Sequence, residues 1–279
     1  MNKTMPKLLG RILLFSLLVI LVRPVSAADF LQGDFSQGGL LQGLVTPGSR
    51  VLLDQRTVPV SETGYFLLGF GRDAQPEQRL TIIAPDGTSR QETLHIAQRA
   101  YRIERIDGIS PRMMNPTEED LIRIGREAEL VAEARGHSAY LRESQEEFSW
   151  PLHGRISGIY GSQRIINGEP RRPHFGVDIA APAGTPVRAP AGGVVSLAHQ
   201  GMFYSGKTLI IDHGSGLSSS FLHLQEILVS PGETVSKGQQ IATVGATGRV
   251  TGPHLDWRIN WYEVRLDPAL LVPPMPDAQ

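Results

Sequence analysis

At 279 residues, with 41% hydrophobic content, 20% charged residues and a formal charge of -1, the chain is ordinary globular material with room for two modest domains, and wholesale disorder is excluded. A pI near 6.7 gives no global basic field for nucleic acid. Cysteine is absent, which removes disulfides, thiolate metal sites and cysteine nucleophiles together and leaves histidine and carboxylate as the strong metal ligands.

Residues 1–27 read as a signal peptide. Lys3, Lys7 and Arg11 precede the apolar run "ILLFSLLVILV", and "RPVSA" then supplies small residues for cleavage near Ala27. The run falls well short of the roughly 20 residues a membrane span needs, so no stable span is expected after cleavage. Without cysteine no lipobox is possible, and the expected compartment is the periplasm, or export within a Gram-negative envelope.

From 28 to 105 the chain runs in short alternating stretches, among them "SRVLLD", "GYFLLGFG" and "QRLTIIAP", divided by turns such as "APDGTS"; the pattern predicts a small antiparallel β-sandwich. Residues 106–147 form a linker carrying one helix over about 117–135, with Leu121, Ile124, Ala128 and Val131 at helical spacing, Thr117 as cap and Gly136 as stop. From 148 to 273 short β runs return between Gly, Pro and Asn-Gly turns, predicting an antiparallel sheet core with an open groove; 274–279 is a tail. The fold class expected is mainly β, with function on strand ends and loops.

Three stretches of the last segment carry chemistry. In "RRPHFGVDIAAP" a strand would turn His174 and Asp178 to one side and Val177 and Ile179 to the other. Alone, such a pair reads as a simple hydrogen-bonded pair as readily as two ligands. In "GPHLDWRIN" period-2 alternation puts His254, Asp256, Arg258 and Asn260 on one face and Leu255, Trp257 and Ile259 on the core face. In "SSSFLHL", His223 stands beside apolar neighbours, where a half-buried core histidine is the plain alternative. Together they supply what a catalytic zinc site demands: three nitrogen or oxygen ligands, an open position and a nearby base.

These motifs resemble the lysostaphin/LytM-type zinc metallopeptidases, through "HFGVD" at 174–178, "FLHL" at 221–224 and "TGPHLD" at 251–256, with the intervening "GTPVRAPAGGVV" and "VSPGETVSKGQQIATVGATG" similar throughout. The preceding strands and helix resemble the N-terminal β-domain and linker of proteobacterial members. The resemblance implies a grooved β-sheet, a bound Zn2+, and hydrolysis of peptide bonds in peptidoglycan stems or cross-links. It carries the ligand roles to His174 and Asp178 and the non-ligand catalytic roles to His223 and His254. The family's last motif is His-x-His, whereas this chain has Asp256 at its second histidine. A His/Asp/Asp set still offers three ligands, and its harder donors shift preference toward Mn2+. The alternative is a site that has lost catalysis, in a regulator that binds the wall or activates a murein amidase, with a divisome or other envelope protein as partner. A third idea, a biotinyl- or lipoyl-carrier hairpin around "VSPGETVSKGQQIATVG", fails because Lys237 precedes a glycine inside a turn.

Tyr160, Tyr204 and Arg164 are candidate substrate contacts on the groove, and Arg171 a weaker one beside them. His213 in "IIDHGSG" reads as structural, His153 and His199 as surface or rim residues, and Trp257 as core.

Overall fold

The computed structural model describes residues 1, 30–136, 138, 140–142, 144 and 146–275. The expected signal peptide lies, apart from Met1, outside the described residues. Among those residues no helix is long and apolar enough to cross a membrane.

The N-terminal half is two antiparallel sheets. One has the order β1 (Phe30–Gly33), β2 (Leu40–Leu44), β5 (Tyr65–Gly69); the other pairs β4 (Arg56–Val58), β3 (Arg50–Leu53), β6 (Glu77–Ile83) and β7 (Ser89–His95). Alternation sets their orientation: in β6, Leu80 and Ile82 are buried while Arg79 faces solvent, as expected of a sheet with one wet face. β5 departs from that rule, being buried at all five positions. The cause is the second half of the chain: a Cβ at Gly69 would lie 2.9 Å from the Cβ of Trp261, so only glycine lets the two backbones approach this closely. One continuous core therefore runs from Leu41 and Phe66 to Leu209 and Trp257.

A short strand β8 (Ile103–Ile106), a one-turn helix α1 (Pro111–Met114) and α2 (Glu118–Gly136) follow. The long helix matches the sequence expectation to within a residue at each end. Thr117 caps it reciprocally, its hydroxyl accepting from the Asp120 amide at 3.2 Å while the Asp120 carboxylate accepts from the Thr117 amide at 3.3 Å. Its packed stripe differs slightly from the expected one. Leu121 and Ala128 are exposed, and the inner side is Ile124, Glu127, Val131 and Arg135. Three polar contacts fix that side: Arg123 donates to the Gly201 carbonyl, the Phe203 amide donates to Glu127, and Arg135 donates to Ser220 Oγ, each at 2.7 Å.

The C-terminal half is built on one antiparallel sheet containing β9 (Arg155–Gly158), β12 (Val177–Ala180), β13 (Pro186–Arg188), β14 (Gly193–Met202), β15 (Gly206–Asp212), β16 (Leu217–Ile227), β17 (Thr234–Val235), β18 (Gln240–Val244), β19 (His254–Trp261) and β20 (Val264–Leu266). Its main order is β17-β14-β15-β16-β19-β12-β9, with β18 added on β13 and β16. A smaller sheet joins β10 (Gln163–Ile166) to β11 (Glu169–Pro170) and, in parallel, to β8. Residues 103–106, read from sequence at the end of the sandwich and start of the linker, thus pair with the C-terminal half.

Candidate active site

β12 and β19 run antiparallel with Asp178 opposite Asp256 and Ala180 opposite His254, so register alone brings two of the three sequence motifs together. The predicted strand through His174 begins only at Val177. His174 sits in the preceding segment, held by two backbone bonds: its amide donates to the Ser162 carbonyl at 2.8 Å, and its carbonyl accepts from Gly161 at 2.7 Å. That loop is gripped by the N-terminal half, because Arg72 Nε donates to the Gly161 carbonyl at 2.7 Å and the Tyr101 ring covers Gly161.

The third motif arrives by a backbone irregularity. β16 pairs with β19 as far as Leu222 and with β18 from Leu224 onward, and His223 between them has a φ of 65°. A left-handed non-glycine residue costs on the order of 1–2 kcal/mol, so this conformation is held by its surroundings. The His223 amide donates to the Ser205 carbonyl at 2.8 Å, and the ring Nδ1–H donates to the Thr247 carbonyl at 2.8 Å. His254 makes the equivalent bond from Nδ1 to the Gly252 carbonyl at 2.9 Å. Each carbonyl fixes the tautomer and leaves Nε2 as the free lone pair. The two rings lie 4.9 Å apart between centroids, and His254 Nε2 is 3.9 Å from Asp178 Oδ1.

Ligand atoms of His174, Asp178 and Asp256 lie within 4.8 Å of one another, a group able to hold a metal ion. His174 and Asp256 are each only 1% exposed. His174 Nε2 and Asp178 Oδ1 are 3.1 Å apart, yet both are buried without a hydrogen-bond partner. Orphaned buried lone pairs are costly in a folded protein, and a cation between them removes the cost. Two glycines keep the space open: a Cβ at Gly158 would stand 2.3 Å from Asp178 Oδ2, and one at Gly176 would stand 2.6 Å from Asp256 Oδ1. The donor set, one imidazole and two carboxylates, therefore fits a divalent ion.

Two guanidinium groups shape the charge. Arg164 Nη2 donates to Asp178 Oδ2 at 2.5 Å, and Arg258 grips Asp256 with both arms, Nε to Oδ1 at 2.9 Å and Nη2 to Oδ2 at 2.5 Å. Burial opposes ionisation of Asp256, but Arg258 outweighs it and holds the carboxyl far below the usual carboxylate range. Burial likewise opposes ionisation of Asp178, and His174 with Arg164 brings it below its ordinary value. Burial pushes His223 down to about 4, the nearby Asp256 only partly offsetting it, so the ring is neutral at neutral pH.

The family described as Peptidase family M23 matches residues 172–268. A solved structure of a Pseudomonas aeruginosa protein described as an M23 peptidase superposes with a TM-score of 0.66 at 30% identity, covering 85% of this chain and 95% of that one. The chain belongs to peptidase family M23. Within M23, it is 43% identical over 106 residues to the peptidoglycan DD-endopeptidase ShyA of Vibrio cholerae, a match covering 38% of this chain and 24% of ShyA. It is 31% identical over 153 residues to the cell division protein DipM of Caulobacter vibrioides, covering 53% of this chain and 23% of DipM. The matched part thus spans about a quarter of the length of these curated relatives.

The other predicted residues of this M23 chain fall in different places. Tyr204 lines a pocket beneath α2, with Arg249 stacked 4.4 Å from its ring centroid. Tyr160 does not form a groove wall: it is buried, and its hydroxyl donates to the Arg265 carbonyl at 2.7 Å. Arg164 is occupied by Asp178, and Arg171 by Glu169 and the Met114 carbonyl. Trp257 is core and His153 is exposed, as read from sequence. The hold of Arg258 on Asp256 was missed, although Asp-x-Arg on one strand face is the signal for it.

His213 is structural. Its Nδ1–H donates to the Gly192 carbonyl and its Nε2 accepts from Ser219 Oγ, both at 2.8 Å. Burial lowers it to about 4 from an ordinary value of 6.5. A histidine with a depressed folded pKa binds fewer protons than in the unfolded chain, so its stability contribution is present above pH 6.5 and lost as pH falls toward 4. The expected loss, on the order of 3 kcal/mol, appears as a falling melting temperature across that window, and His213→Gln flattens its slope.

Proposed function

We propose that this protein is a metal-dependent endopeptidase that cuts peptide bonds in peptidoglycan stems or cross-links, working as an exported, periplasmic enzyme with Zn2+ as its preferred ion and Mn2+ as the alternative suited to its carboxylates. The observation that carries the reading is the pair of buried, partnerless atoms, His174 Nε2 and Asp178 Oδ1, converging with Asp256 beside two histidines whose Nε2 atoms are free. His174, Asp178 and Asp256 would hold the ion. When bound, it supplies Lewis acidity, acidifying a water toward a pKa of about 7 and polarising the scissile carbonyl. His254, the more exposed of the two free imidazoles at 19%, takes the attacking proton and returns it to the leaving amine. His223, kept neutral by burial and with Nε2 as its free lone pair, accepts a hydrogen bond from the attacking water without adding a competing positive charge.

Peptidoglycan as substrate is supported by the activity named for the Vibrio cholerae relatives. The purified protein is expected to release new amine termini from peptidoglycan, to lose that activity to 1,10-phenanthroline, and to regain it with Zn2+ or Mn2+. Undiminished release under the chelator would overturn the metal centre.

One observation favours a second reading. Both carboxylates already have guanidinium partners, which neutralise the donor set without a metal ion. On that reading the protein is a regulator binding the wall, or activating an amidase or another division partner, as the cell division name of the Caulobacter relative suggests. Failure of any metal to bind would favour it.

A further inference from the structure

Between α2 and the exposed side of the main sheet lies a pocket of about 460 Å³, adjoining the centre through Arg258 and Ser205, whose carbonyl holds the His223 amide. Three guanidinium groups line it, from Arg135, Arg258 and Arg265. The acids nearby are all engaged: Arg258 holds Asp256, Arg123 holds Glu127, and Arg56 holds Glu263. Two cations are left over. Arg135 donates to neutral Ser220 Oγ, and among the described residues its buried Nε has no hydrogen-bond partner. Arg265 lies over the Phe175 ring at 4.5 Å, and among the described residues no carboxylate pairs with either arginine. Burial, together with the neighbouring cations, brings Arg135 down to about 9 and Arg265 down to about 10, so both stay charged at neutral pH, and the carboxylate that acts on both, Asp256, is already held by Arg258.

Partly buried, unpaired guanidinium groups are expensive to hold, and a pocket that concentrates them next to a reactive centre is a recognition site for planar oxyanions. We infer that this pocket binds a free carboxylate of the peptide lying across the sheet, with Arg135 and Arg265 as its two cationic walls and α2 as the element that completes it. The inference rests on the proposed peptide-cleaving role for the identity of the ligand, and on the charge count alone for the site. It gives the linker helix a part in choosing substrate: residues 118–136 supply one wall of the specificity pocket.

The test is calorimetric titration of the purified protein with soluble muropeptides, in native form and with their carboxyls converted to amides. Neutral 1,10-phenanthroline is present so that no turnover intrudes. Native muropeptides are expected to bind at least about tenfold tighter than the amidated ones, a factor that corresponds to about 1.4 kcal/mol. Arg265→Met and Arg135→Met should each remove most of that preference while leaving the amidated ligand's affinity unchanged, and Arg135→Lys should restore part of it. Equal affinity for the two ligands, no binding of either, or competition by inorganic phosphate at the same concentration as the native muropeptide would overturn the carboxylate site. A parallel digest without chelator keeps the two readings separable: selective binding without bond cleavage removes the enzyme and leaves the pocket.

Discussion

Replacing Arg258 by methionine is expected to lower the melting temperature of the metal-free protein by about 10 °C and to make stability strongly dependent on added Zn2+ or Mn2+. Removing one member of a buried, hydrogen-bonded ion pair strands the other, at a cost of about 3–5 kcal/mol, and in a chain of this size each kcal/mol moves the melting temperature by about 2–4 °C. The stranded group is Asp256, 1% exposed. A divalent cation can take the place of the guanidinium there, so ligand binding should return most of the loss. The reverse substitution shows the same coupling. Asp256→His would restore a His-x-His motif but leave the Arg258 cation buried beside the metal position. The single variant should bind metal more weakly than the original chain, and Asp256→His with Arg258→Met should bind it more tightly than either single change. Melts with and without metal, and calorimetric titration of the four proteins, check this; a single Asp256→His variant that binds as tightly as the double would show that Arg258 and Asp256 act independently.

The second expected result separates holding the ion from moving the proton. His254→Ala should retain one bound metal per chain yet cut peptidoglycan about 10²–10⁴ times more slowly, the usual worth of a positioned general base. His174→Ala should lose both metal and cleavage, since it removes the one imidazole of the ligand group. Metal analysis on the same samples used for the digest makes the split visible. If His254→Ala cut at the original rate, proton transfer would have to be assigned elsewhere, with His223 the next group in line 4.9 Å away.

Much of this centre was legible in the sequence because strand periodicity is short-ranged. "GPHLDWRIN" sorts into a polar face and a core face by alternation alone, and Leu255, Trp257 and Ile259 are fully buried. Thr117 and the acids after it announced α2 in the same local way. What stayed hidden depends on partners far apart in the chain. The parallel pairing of β8 with β10 joins residues about sixty positions apart and leaves no periodic trace. The left-handed backbone at His223 arises because β16 changes neighbours there, which no property of "SSSFLHL" predicts. Tyr160 had the composition of a groove residue, but Arg265 and Phe175, remote in sequence, enclose it. Arg135 carried a charge on a predicted amphipathic helix, where the ordinary expectation is solvent.

The grip of Arg72 on the Gly161 carbonyl, and of Gly161 and Ser162 on the His174 backbone, bears on how such proteins can be rearranged. A cut at residue 148, where the motif-bearing half begins, looks like a clean seam for fusions and gene shuffling. It would discard Arg72, Tyr101 and the β8 strand that Arg164 lies beside, with Glu104 3.8 Å from its guanidinium. The excised piece would carry every reactive side chain and keep the Gly161 and Ser162 bonds to the His174 backbone, but lose the Arg72 and Tyr101 contacts that hold that loop. A fusion that keeps these contacts has to carry both halves, with its joint upstream of the first sheet.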